Sequence, residues 1–164
     1  MSCGDHLRTS LRGEVDQLVR LRPFELAERS IDMLHRHFIN RPQTNPFTRF
    51  GQRLLRDRDE LHKSGLARYH AWAFASIRQV GAAFELAAAH LRWLSDWNHA
   101  ELLEAAECFD RISAANKTLI LKGARAVNSG RVLDAAELIH SMEQSWECGM
   151  LIVQKSLMHE SEFA

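Results

Sequence analysis

Three of the acid-x-x-His pairs in the chain invite a metal reading: Asp32/His35, Asp96/His99 and Glu137/His140. Carboxylate-bridged di-iron bundles carry Glu-x-x-His on two helices and Glu on two more, all projecting inward. The angular positions here go against that use. Asp32 lies away from the apolar stripe Ile31/Leu34/Phe38, and Glu137 and His140 lie opposite Leu138/Met142/Trp146. Asp96 and His99 fall in a break or cap between helices. Solvated side chains and caps are the expectation, with no metal and no other cofactor.

A nucleophilic site would need Cys108 or Cys148 beside a histidine. Cys108 lies near the edge of an apolar helix face, where a buried, inert thiol is the usual occupant. No Gly-rich phosphate loop, Ser-His-Asp signature or Walker motif is present, so no local motif argues for an enzyme. The polar residues that project into apolar faces are Gln79, His90 and Asn116. Buried amides and imidazoles need hydrogen-bond partners, so these three form a candidate polar interior. It serves either as a structural network that sets helix register or as the lining of a ligand pocket; the structural role is the expectation. Arg78, Glu85 and Arg92 recur every seven residues as a narrow charged stripe. They read as a solvated seam, an intrahelical ladder or a patch for an anionic partner, with solvation expected.

The elements that must position these residues are helices throughout. Pro23 suits a first turn, and Phe24, Ala27, Ile31, Leu34 and Phe38 follow at 3, 4, 3 and 4 spacing. The segment from Asn40 to Pro46 breaks the pattern, a helix restarts near Phe47, and Ser64-Gly65 ends it. The next helix, about Leu66 to Leu94, is apolar nearly all round, with Tyr69, Trp72, Ile77, Val80, Phe84, Leu86, Leu91, Trp93 and Leu94 on a wide arc. Such a helix is expected to be surrounded by others, which makes it the central one. Ser95 to Asn98 is a break, an amphipathic helix spans about Ala100 to Asn128, and Gly130 caps it. A last helix runs from about Val132 towards Leu157. The fold class is all-α, a single compact bundle of five to six helices with a buried central helix. Residues 1–22 are a short helix, Leu11 to Leu21, or a loosely packed arm.

Composition narrows the function. The 164 residues are 46% apolar, enough for a self-sufficient core. Lys+Arg and Asp+Glu both number 21, which argues against a nucleic-acid footprint. The charge is uneven, however, and leaves the C-terminal helix acidic. No window approaches the ~18 uncharged apolar residues of a membrane span. Three widely spaced cysteines and an N-terminus without an apolar core region point to a reducing cytoplasm. Arg exceeds Lys 17 to 4, a composition of GC-rich bacteria.

The segment from Phe74 to Ala88, FASIRQVGAAFELAA, preceded by Asn45-Pro-Phe47 and followed by FDRISAA at Phe109 to Ala115, resembles a bacterial family, domain of unknown function 1839. The likeness runs from about Leu34 to Trp146. Members of that family are roughly twice as long and tend to be encoded beside amino-acid:carrier-protein ligases, relatives of aminoacyl-tRNA synthetases. The resemblance implies that this chain is the C-terminal helical half, and that its context is carrier-bound amino acids. It carries over no catalytic residue. Two readings remain: an accessory helical module that binds a protein, such as a carrier protein or the ligase that charges it, or a small enzyme or ligand-binding bundle that uses the polar interior.

Overall fold

Proline opens two of the helices, because the first helical residue has no intrahelical partner for its N–H in any case. The computed structural model describes residues 21–161. In it α1 (Pro23–Ile39) and α2 (Pro46–Lys63) both begin in this way. Asn45 closes the start of α2: its Oδ1 accepts the Phe47 N–H at 3.0 Å. Ser64 and Gly65, at φ 79°, end α2 and lead into α3 (Gly65–Ala73), a π-helical turn (Phe74–Arg78) and α4 (Gln79–Ser95), which together form one rod. α5 (Leu102–Ser129) and α6 (Ala136–Ser161) complete the chain, and the described residues contain no strand. The expected N-terminal helix, Leu11 to Leu21, lies almost wholly outside the described residues, as does Cys3.

The all-α bundle is as the periodicity indicates, but its central helix is α5 rather than the Leu66–Leu94 rod. α5 buries side chains along its whole length, from Leu102 through Phe109, Ile112, Asn116 and Leu119 to Ala126. The rod packs along one side of it and α6 along another. The reason lies in the π turn. Tyr69, Ala73, Ile77 and Gly81 are all buried at successive spacings of four. In a regular α-helix each such step drifts by about 40°, so this row would wind off the core. The wider π turn absorbs the drift and keeps the row facing α5, and everything downstream is rotated with it. Phe84, Ala88, Leu91 and Leu94 then continue the inner face, while Gln79, Val80 and Leu86 turn outward. Projection at a uniform 100° per residue misplaces all three.

The remaining boundaries follow local chemistry. Gly130, at φ 73°, is the left-handed residue that stops α5, and the Arg131 N–H returns to the Ala126 carbonyl at 3.1 Å. α6 starts at Ala136, later than the expected Val132. Asp134 sets that start by accepting the Ala136 N–H at 3.3 Å. Phe84 joins the layers: its ring lies 5.6 Å from that of Phe47 and 5.3 Å, edge-on, from that of Phe109.

Candidate functional site

The three polar candidates do not form one interior. Asn116 alone is buried, on the inner face of α5. Its Nδ2 donates to the Ile112 carbonyl at 2.9 Å and to the Met142 sulfur at 3.3 Å, so it links α5 to α6. That is a satisfied structural amide. His90 is half-buried and stacks on Trp93, ring centres 6.0 Å apart. Burial pushes its pKa down. Gln79 is exposed, a correction to its expected place in the apolar arc that follows from the π turn just before it.

The charged stripe is split between two uses. Glu85 and Arg92 reach across to α5: Glu85 accepts from Lys117 Nζ at 2.7 Å and from the Ser113 hydroxyl at 3.3 Å, and Arg92 pairs with Asp110. The Lys117 ammonium holds the Glu85 carboxyl below the usual carboxylate range. These are interhelical struts rather than a solvated seam, and as exposed pairs they contribute little stability. Arg78 has no such strut. Its guanidinium lies 4.7 Å above the Phe74 ring, and it meets no carboxylate among the described residues.

With the inner residues accounted for, the outer face of the rod is what remains. Gln79, Ala82, Leu86 and Ala89 follow one another at 3, 4 and 3 spacing, and all are exposed, with Ala75 and Ala83 beside them. Leu86 is 72% exposed and Phe74 55%. No described residue packs over this face. It is a second apolar stripe on a helix whose first stripe already fills the core, bounded by Arg78 at one end and the Glu85 and Arg92 struts along one edge.

The remaining chemistry is quiet. Asp32, His35, Glu137 and His140 are exposed, and among the described residues no group of three or more His, Cys, Asp and Glu could hold a metal ion. Burial raises the Cys108 thiol to about 11, with the nearby Cys148 thiol adding to the rise, so Cys108 carries no thiolate at neutral pH. Among the described residues no helix is long and apolar enough to cross a membrane.

The helices from α1 to most of α6 coincide with a known family. The model of the DUF1839 C-terminal domain matches residues 24–155. The chain belongs to this family. No curated protein and no solved structure matches it. In this DUF1839 C-terminal domain, the matched span takes in both stripes of the rod and the α5 face that covers the inner one.

Two features escaped the sequence reading. Gly123 sits in the interior of α5, where glycine costs about 1 kcal/mol relative to alanine. That cost is itself the signal. A Cβ there would fall 2.0 Å from the Tyr69 hydroxyl, so the glycine makes room for a fully buried tyrosine. The Tyr69 hydroxyl donates to the Ile120 carbonyl at 3.0 Å, and burial pushes the phenol up to about 12. The second feature is a cationic groove where α2 ends, which no local spacing announces.

Proposed function

We propose that this DUF1839 C-terminal domain is an accessory module that docks a helix of a partner protein on the outer face of α3 and α4. The uncovered second apolar stripe carries this reading. Alanines at 75, 82, 83 and 89 leave the backbone accessible to a close-packed helix, and Leu86 and Phe74 supply the burial. Fully burying a side chain of that size contributes about 1.5–3 kcal/mol. Arg78 and Gln79 supply the polar contacts at the edge, and an acidic residue on the incoming helix would meet Arg78. The partner we favour is a carrier protein or the amino-acid ligase that charges it, the context implied by the resemblance to DUF1839. A bacterial cytoplasm suits the cysteine usage, and no role in binding nucleic acid or membrane is part of the reading.

The test uses the exposure of the same residues. Ala82→Asp and Leu86→Asp place a carboxylate on the stripe without touching the core, so each variant should stay folded, with a melting temperature lowered by no more than a few degrees through helix propensity. Wild-type protein should co-elute with the purified carrier protein or ligase encoded in its own genome, and both variants should lose that complex. Retention of the complex by both variants, or no complex with either protein, would defeat the proposal.

A further inference from the structure

Two neighbouring cavities lie along α2, one of about 180 Å³ where its end meets the loop between α5 and α6 and one of about 210 Å³ where its middle faces the start of α6. Arg58 and Leu133 line both, so only that pair of side chains stands between the two cavities. The first has an apolar floor formed by Tyr69, Gly123, Ala126 and Val127. Its rim is cationic, with Arg58 and Lys63 from α2 and Arg131 from the loop, and His62 lies among them. Its one carboxylate, Asp59, is already paired with Arg58 at 3.4 Å. Lys63 complements the negative end of α2, as a cation in a last turn does. Arg131 stands just past Gly130, at the end of α5, and neither Lys63 nor Arg131 has an acidic partner among the described residues. The second cavity is lined mainly by the apolar Leu54, Leu55, Ala135 and Ile139, with Gln52, His140 and the carboxylate of Glu143 among its polar residues. Two mainly apolar cavities beside cations that lack acidic partners have the chemistry of a site for a ligand with one acidic end and one greasy end.

We infer that this groove binds an amphipathic organic anion, with its acidic head between Lys63 and Arg131 and its apolar chain running past Leu133 into the second cavity. A cavity of ~150 Å³ holds a benzene-sized body, so the two together accommodate a chain of about ten carbons. The site lies on residues other than those of the docking stripe and stands independently of it.

The experiment is calorimetric titration of the full chain with decanoate below its micelle concentration, compared with hexanoate, decanol and inorganic phosphate. Decanoate should bind. Hexanoate and decanol should each bind at least about tenfold more weakly, since one lacks the second cavity and the other the charge-assisted head contacts. Phosphate alone should give no heat. Lys63→Ala/Arg131→Ala removes exposed side chains only, and should weaken decanoate by at least about tenfold while lowering the melting temperature by no more than a few degrees. Ala136→Leu, at the exposed start of α6, should weaken decanoate and leave hexanoate alone. Phosphatidylglycerol vesicles should leave the protein in the supernatant. Equal affinity for decanol, equal affinity of the double variant, phosphate binding that matches decanoate, or vesicle binding that the double variant loses would each overturn the inference.

Discussion

Replacing Gly123 with alanine tests the packing of the rod on α5. In an ordinary helix interior the change stabilises by about 1 kcal/mol, because alanine is the better helix former. Here the added Cβ would lie 2.0 Å from the Tyr69 hydroxyl oxygen, 2.5 Å from Cζ and 2.8 Å from Cε2. Tyr69 is 1% exposed, so its ring must be pushed against neighbours that are already in contact. Overpacking of this kind costs about 1–3 kcal/mol. Moving the ring also lengthens its 3.0 Å bond to the Ile120 carbonyl, and a buried hydroxyl left without a partner costs about 1–3 kcal/mol. Set against the gain in helix propensity, the net is a destabilisation of about 3 kcal/mol. Urea unfolding followed by far-UV circular dichroism gives the number. Gly81→Ala is the control, since its Cβ would meet the Asn116 Cβ at 3.1 Å, which a small shift relieves. It should stay within about 1 kcal/mol of wild type, the propensity gain offsetting the tight contact. Tyr69→Phe removes the atom that clashes worst, so the Gly123→Ala penalty should shrink in that background. A Gly123→Ala protein more stable than wild type would refute the packing described for Tyr69.

Three other outcomes follow from burial. Gln79→Ala should change stability by no more than about 0.5 kcal/mol, as surface substitutions do, whereas Asn116→Ala should cost about 1–3 kcal/mol in the same denaturation assay. His90 has its pKa depressed in the folded protein, so the unfolded chain binds the proton more readily. Stability should therefore fall as pH drops through the imidazole range, and His90→Gln should flatten the part of that slope which the imidazole contributes, measured as urea midpoints between pH 7.5 and 5. Iodoacetamide at pH 8 followed by peptide mapping should label the exposed Cys148 in the native protein and label Cys108 only after unfolding.

The amphipathic helices were legible because their apolar spacing is local: the stripe from Ala27 to Phe38 and the cap at Gly130 needed nothing beyond neighbouring residues. Asn116 was legible for the same reason, lying inside a stripe that runs through a regular helix. Gln79 was not. A single π turn between Phe74 and Arg78 shifts the register of every later residue in the rod, and FASIR has no composition that marks such a turn. The near-complete apolar circumference of the rod suggests a helix enclosed within its own fold. Part of that circumference is instead an open face, and sequence alone does not distinguish a neighbour in the same chain from one outside it. The cationic groove depended on Lys63 and Arg131, far apart in sequence, meeting at the ends of two helices. The struts from Glu85 and Arg92 likewise join helices whose relative rotation the π turn determines.

Site-specific photocrosslinking in the source cell tests the docking face most directly. A benzoylphenylalanine placed at position 82 or 86 should give one discrete crosslinked species, identified by mass spectrometry as a carrier protein or its ligase. The same group at Lys122, on the exposed side of α5, should give none. Equal crosslinking from position 122, or no crosslink from positions 82 and 86 in cells where the protein is folded and abundant, would contradict the account.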